Sequence, residues 1–218
     1  RSRSLEDIMS EVNKLAESGC HEIVVTGIHL SSYGLDFDNT EYNAQPVPNA
    51  ERLLQVIEAI DAVDGIERIR LGSLEPRIIT DEFLTRLSAV KKICPHFHLS
   101  LQSACNETLK RMNRKYTIEE YMGKCDMIRK AYDRPAIATD VIVGFPGETE
   151  EDFLESMSLV KEANFDASFS FVYSKRPGTP AARLEDTTPQ SVKLARLQKL
   201  QAQIDEQAKA VSESMVGK

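Results

Sequence analysis

The chain has 218 residues, 41% of them apolar, which suits one domain with a core of ordinary size. Its 27 basic and 34 acidic residues give a formal net charge of −7, so it presents no chain-wide basic face for nucleic acid, and an RNA contact has to be local or come from another domain. No run of about 18 apolar residues suggests a membrane span, and no signal-peptide pattern opens the chain, so a cytoplasmic location is expected.

In chain order, Ser4 precedes Leu5, Ile8, Val12 and Leu15, which recur at helical spacing, and Asp7 is placed to complete a cap. Gly19 ends that helix. Glu22 to Ile28 is a β-branched run that predicts a first, buried strand. A polar loop follows from His29 to Gly34, and residues 35–49, rich in Asp, Asn and Pro, read as an exposed loop. Leu53, Ile57 and Ile60 mark the next helix. Ile66 to Glu75 predicts a second strand, closed by Pro76, which cannot donate to a ladder.

Thr80 is placed to cap a helix carrying Phe83, Leu84 and Leu87, and His96 to Gln102 predicts a third strand. Helical patterns cover 105–112 and 117–131. Ala136 to Val143 predicts a fourth strand, ended by Gly144-Phe145-Pro146-Gly147. Thr149, with Asp152 three residues on, caps the following helix. Ser168 to Tyr173 predicts a fifth strand, and a long helix over 188–214 carries Leu197, Leu200, Ile204 and Val211.

Five strands alternating with helices imply parallel pairing and an α/β fold. Right-handed crossovers curl such a sheet into a partial (β/α) barrel. A flat doubly wound sheet is the other solution, but its G-x-G-x-x-G phosphate turn is absent after the first strand. The predicted division is a core over 1–187 and a C-terminal helical segment over 188–218.

In parallel α/β folds the site forms at the carboxyl ends of the strands. Those ends carry Thr26, Gly27, His29 and Ser31, then Ser73 and Glu75, then Gln102 and Ser103. The fourth carries Asp140 and exits through Gly144 to Glu148, and the fifth ends in Tyr173, Ser174 and Arg176. On the third strand His98, Ser100 and Gln102 share one face by alternation, which points to a wide interior holding a polar ligand. The competing reading is a small network satisfying itself. Asp140 inside an apolar run needs a donor, because burying an unpaired carboxylate is costly. Gly144 and Gly147 also suit a plain strand-to-helix turn, and Glu75 beside Pro76 equally suits a solvated rim. The basic run Lys110 to Lys115 reads as a solvated helix end or as an anion contact. Tyr33, Tyr42 and Tyr116 form no stacking platform.

The four cysteines, Cys20, Cys94, Cys105 and Cys125, lack the C-x₂-C or C-x₃-C spacing of zinc and iron–sulfur sites. They read as free, mostly buried thiols, and no metal ligand is assigned. The chain opens Arg1-Ser2-Arg3-Ser4 without a Met and closes Met215-Val216-Gly217-Lys218. Both ends read as cuts in a longer protein.

Five segments in order then carry a resemblance. They are Thr26 to Gly34, Leu71 to Pro76, His98 to Ser103 with Leu109 to Arg114, Asp140 to Thr149, and Tyr173 to Ala181. Together they resemble the radical SAM core of the methylthiotransferases, the MiaB, RimO and MtaB group. Gly27-Ile28-His29-Leu30-Ser31-Ser32-Tyr33-Gly34 is most similar to the MtaB branch, where the MiaB branch looks more like G-Q-N-V and the RimO branch like Q-D-T. The resemblance implies a SAM-dependent tRNA enzyme that adds a methylthio group to threonylcarbamoyl-modified adenosine beside the anticodon. MiaB-type isopentenyladenosine activity, or another radical SAM reaction, is the alternative.

It also implies S-adenosylmethionine and two [4Fe–4S] clusters as cofactors, with tRNA as partner. The C-x₃-C-x₂-C loop, the strand before it and a sulfur-donor domain are expected upstream of Arg1, and a tRNA-holding TRAM domain beyond Lys218. This chain alone is then expected to ligate no cluster, to be inactive, to bind tRNA weakly, and to associate through an exposed sheet edge. By position in the motifs, Thr26 and Gly27 match the methionine amino group and Gln102 and Ser103 the ribose. Val143, Gly144 and Phe145 match the adenine, and Asp140 and Glu75 are polar positions near SAM or substrate. Arg114 is placed for the methionine carboxylate, since a guanidinium binds one bidentately. Tyr173 approaches adenine, and His29, Ser73 and Arg176 face substrate. Outside this family, a cluster-free βα enzyme or a binding scaffold remains. No Lys lies inside a predicted strand, which disfavours a Schiff-base enzyme.

Overall fold

The computed structural model describes residues 1–38 and 50–217. The loop expected over 39–49, Tyr42 within it, and Lys218 lie outside the described residues. The chain divides into two compact units, Arg1–His98 with Asp126–Pro135, and Leu99–Cys125 with Ala136–Lys218.

The first unit starts with helix α1, Leu5–Glu17, which begins where its cap dictates: the Ser4 side chain accepts the Asp7 N–H at 3.1 Å. Strand β1, Glu22–Val25, pairs in parallel with β2, Arg68–Leu71, in the register Glu22 to Arg68 through Val25 to Leu71. Both are shorter than expected. After Val25 the chain leaves the ladder, and residues 30–32 and 35–38 form 3₁₀ turns where loop was expected. Beyond Leu71, Gly72 still donates its N–H to Val25 O, and Leu74 donates to His98 O of strand β3, His96–His98.

Helices α2, Glu51–Asp61, and α3, Asp81–Ala89, complete this unit, α3 capped by Thr80 through the Phe83 N–H. Its core is apolar and closed: Ile57, Ile69, Ile79 and Leu87 are fully buried. α1 packs on α2, and α2 on α3 and β2.

The second unit is built on strand β4, Ala136–Val143, which occupies the expected residues. It pairs in parallel with β5, Ala167–Val172, from Ala138 opposite Ala167 to Val143 opposite Val172. Short helix α4, Asn106–Arg111, and helix α5, Ile118–Ala131, precede β4. Helix α6, Glu150–Ala163, starts with a full capping box between Thr149 and Asp152. The long helix α7, Gln190–Ser214, packs on α6, β4 and β5 through Leu200 and Ile204.

Residues 99–102 depart from the predicted third strand, which ends at His98. Gln102 has φ +70°, a left-handed conformation that no regular strand admits. It still docks on β4, donating to Asp140 O and accepting from Ile142 N. The segment is held by side chains instead of a continuous ladder. The Tyr116 hydroxyl donates to Ser100 O at 2.8 Å and to Leu101 O at 3.1 Å. Thr139 Oγ1 donates to Leu99 O and accepts the Leu101 N–H, and the Tyr121 hydroxyl donates to Leu99 O at 2.9 Å. The strict alternation expected of His98, Ser100 and Gln102 is therefore broken at Gln102.

No helix among the described residues is long and apolar enough to cross a membrane.

Candidate functional site

In the first unit, Thr26 and Gly27 follow β1 directly and both are exposed. Gly27 faces open space: a Cβ built there meets nothing within 4 Å. Thr26 Oγ1 lies against Gly72, where a Cβ would sit 2.9 Å away, so the two strand ends approach closely only because residue 72 is a glycine. His29 is exposed and opens the 3₁₀ turn, its carbonyl accepting the Ser32 hydroxyl at 2.8 Å. Ser31 is buried and its Oγ accepts the Glu75 N–H at 3.0 Å. Glu75 is half-buried and paired with Arg77, so the solvated-rim reading gives way to a partly enclosed ion pair. Ser73 is exposed, with its hydroxyl 3.3 Å from His98 Nδ1. A groove of 890 Å³ runs along the free side of β1, lined by Ile8, Val12, Leu15 and Val24 and reaching Thr26 and Gly27.

In the second unit, Asp140 is half-buried on β4 and accepts the Ser100 hydroxyl at 3.1 Å. That hydroxyl is the donor its position in an apolar run requires. Gln102 is 9% exposed. Ser103 is buried and its Oγ accepts the Cys105 N–H at 3.3 Å, a local bond two residues on, just before α4.

Val143, Gly144 and Phe145 are all buried at the end of β4, with Gly144 at φ +69°. Phe145 meets Tyr173 edge to face, ring centroids 4.9 Å apart. Tyr173 follows β5, and its N–H donates to Val143 O. Its hydroxyl is buried without a hydrogen-bond partner among the described residues. A buried polar atom left so is costly, and a ligand's polar edge is a ready partner.

The remaining expected residues stand apart. Arg114 and Arg176 are exposed, and the Arg176 carbonyl closes the turn at Thr179. In the basic run, Lys115 binds Asn113, while Arg111 reaches Thr108 Oγ1 at 2.7 Å and Asp152 at 3.5 Å. The run is thus partly tied into the fold.

Cys105 and Cys125 are buried and Cys20 and Cys94 half-buried, and none is in a disulfide. The Cys105 thiol donates to Asp152 at 3.2 Å. Burial raises the Asp152 carboxyl, but the Thr149 N–H, this thiol and Arg111 together outweigh it and hold it below the usual range. Cys105, Asp152 and Glu155 are the one grouping of potential metal ligands among the described residues. With a single thiol, it does not fit an iron–sulfur cluster.

Sequence reasoning missed a buried ionic network on the far side of the Gly144 turn. Glu148 Oε1 accepts the Gly144 N–H at 2.9 Å and Arg196 Nη1 at 2.8 Å. Burial pushes the Glu148 carboxyl up, and these two donors oppose it. The signal in the sequence is slight: Lys193 and Arg196 look like ordinary charges on a long polar helix.

The sequence matches the Radical SAM superfamily over residues 1–160, and the chain belongs to that superfamily. Solved structures agree at the level of the fold. Coproporphyrinogen III oxidase from Escherichia coli, a radical SAM enzyme, superposes with a TM-score of 0.65 at 17% identity, over 93% of this chain and 46% of that one. Methylornithine synthase gives 0.62 at 13% identity, over 92% and 53%. The fold is the α/β, partial (β/α)-barrel type with parallel strands that these enzymes share.

Within the superfamily the chain is similar to enzymes named as tRNA 2-methylthioadenosine synthases. It is 42% identical over 219 aligned residues to a tRNA-2-methylthio-N(6)-dimethylallyladenosine synthase of Paraburkholderia phytofirmans, covering 100% of this chain and 46% of that protein. The enzyme of the same name from Lachnoclostridium phytofermentans is 39% identical over 218 residues, again 100% and 46%. The chain thus spans about half the length of these relatives.

Proposed function

We propose that this chain is the cofactor- and substrate-positioning core of a tRNA methylthiotransferase whose substrate is a dimethylallyl-modified adenosine. The observation that carries the reading is 42% identity over the whole chain to enzymes of that name. The MiaB-type alternative thereby takes precedence over the threonylcarbamoyl reading, which rests on the stretch from Gly27 to Gly34 with the agreeing segments Leu74 to Pro76 and Lys110 to Arg114.

S-adenosylmethionine, when bound, supplies the methyl group and the source of the hydrogen-abstracting radical; the hard chemistry is the cofactor's and the protein orients it. The second unit suits such a ligand. Phe145 and Tyr173 offer an aromatic wall, and the Tyr173 hydroxyl offers an unspent hydrogen bond. Gln102, fixed at φ +70° between Asp140 O and Ile142 N, and the Asp140–Ser100 pair supply polar edges for the ribose. Thr26 and Gly27 are proposed for the methionyl amino group, Glu75 for cofactor or substrate, and His29 and Ser73 for substrate. Arg114 is proposed for the methionine carboxylate and Arg176 for substrate.

No step through an iron–sulfur cluster is assigned to this chain's residues, whose thiols do not gather. The two clusters, the tRNA-holding surface and the sulfur supply are proposed for the rest of the protein, acting in the cytoplasm, with residues 1–187 as core and 188–218 leading onward. Weak tRNA binding by this chain alone and association through the β1 edge are proposed with it.

The test is nucleoside mass spectrometry of tRNA from cells lacking the endogenous activity and supplied with the full-length protein. Methylthiolated dimethylallyladenosine is expected. Methylthiolated threonylcarbamoyladenosine instead would return the reading to the MtaB branch, and neither product would overturn both.

A further inference from the structure

Lys193 and Arg196 stand one helical turn apart on α7, yet they are 3% and 6% exposed. Buried cations of this kind need close anionic partners. Lys193 Nζ lies 2.7 and 2.6 Å from the two Asp186 carboxylate oxygens. Its aliphatic stem lies across Gly144, where an added Cβ would be 2.6 Å from Lys193 Cγ.

Arg196 donates through Nε and Nη2 to Glu150 Oε2, at 3.1 and 3.0 Å, and its guanidinium lies 5.5 Å over the Phe153 ring. Its Nη1 donates to Glu148 Oε1 at 2.8 Å and to the Glu148 carbonyl at 3.3 Å. That one oxygen, Glu148 Oε1, also accepts the Gly144 N–H at 2.9 Å.

The geometry points to Arg196 as a positioning residue for the cofactor turn: it fixes the Glu148 carboxylate, which fixes the Gly144 peptide and with it the Val143–Phe145 wall. The inference rests on the reading of that wall as the cofactor's. Arg196 hydrogen-bonds Glu148 and Glu150 and acts on the wall through Glu148. A purely stabilising ion pair would not need to share an oxygen with the Gly144 peptide. Nor would it need its neighbour Lys193 laid across the same glycine. Gly144 at φ +69° takes a conformation that glycine adopts without strain, so its backbone supplies little restraint and the Glu148 carboxylate bond to its N–H is what orients the peptide.

The test uses the full-length protein, reconstituted anaerobically and kept without reductant so that no turnover occurs. R196M, E148Q and the double variant R196M/E148Q are compared with the wild type. Three quantities are read: melting temperature, amide exchange of the peptide spanning Gly144, and the dissociation constant for S-adenosylmethionine. R196M strands a buried carboxylate, so it should melt lower, exchange faster at Gly144 and bind on the order of tenfold more weakly, the scale of one charged hydrogen bond.

The double variant decides between positioning and stability alone. It removes the stranded charge, so melting should recover. Exchange at Gly144 and affinity should stay impaired, because nothing then orients the residue 148 side chain. Recovery of affinity together with melting would overturn the inference, as would wild-type exchange at Gly144 in R196M. If the wild type itself fails to bind S-adenosylmethionine, the cofactor reading falls, while the exchange data still decide whether Arg196 holds the turn.

Discussion

The Ser31 hydroxyl oxygen accepts the backbone N–H of Glu75 at 3.0 Å, joining two residues 44 apart in sequence. This bond ties the loop after β1 to the loop after β2, so two candidate strand ends are fixed to one another by a side chain that is almost fully buried.

Replacing Ser31 with Ala should therefore leave the Glu75 N–H without its acceptor. The expected loss is about 1 kcal/mol, the net worth of one such hydrogen bond at a half-buried donor. Urea denaturation followed by circular dichroism checks it; a midpoint equal to wild type would show that water takes over the bond.

The Tyr121 and Tyr116 hydroxyls are among the groups that hold the irregular segment between Leu99 and Gln102. Phenylalanine at either position keeps the ring and removes the donor. Each variant should lose roughly 1 kcal/mol or more. Y116F should also loosen the segment locally, seen as faster amide exchange at Leu101 and Gln102. Unchanged exchange there would mean the segment is set by its docking on β4.

Two glycines separate fold from site. A Cβ at Gly27 meets open space, so G27A should melt within about 0.5 kcal/mol of the wild type, as harmless surface changes do. If the methionyl end of the cofactor rests there, the same methyl should weaken S-adenosylmethionine binding. G144A has a positive φ and the Lys193 stem against it. It should lose at least about 1–2 kcal/mol from the backbone conformation alone. Equal melting of the two variants would contradict this placement.

Tyr132 supplies a pH dependence. Burial pushes its hydroxyl from the ordinary 10.0 up to about 12. Between those values the unfolded chain loses this proton first, so stability falls as pH rises through the window. The hydroxyl has no hydrogen-bond partner among the described residues, and its ring meets Phe97 at 5.1 Å. Y132F should therefore match wild type near neutral pH and resist unfolding better between pH 10 and 12. Parallel alkaline melting curves for the two proteins would refute the assignment.

What the sequence determined by itself was local or continuous. Ser4, Thr80 and Thr149 announced their helices because a cap is a bond across three residues, readable from spacing. β4 was legible in full because an apolar run between two turn signals leaves little choice. The ordered strand-end motifs carried the family, and the turn at Gly144 was visible as Gly-Phe-Pro-Gly.

The tertiary structure decided the rest. β1 and β2 end together, in a register that no single segment records. The segment after β3 bends at Gln102 because three side chains, Tyr116, Tyr121 and Thr139, replace the ladder there. Lys193 and Arg196 read in sequence as solvated charges on a long helix. Their partners are Asp186, Glu148 and Glu150, the last two 48 and 46 residues from Arg196. Only the packing of α7 on α6 and β5 brings them together, and only burial makes that pairing obligatory.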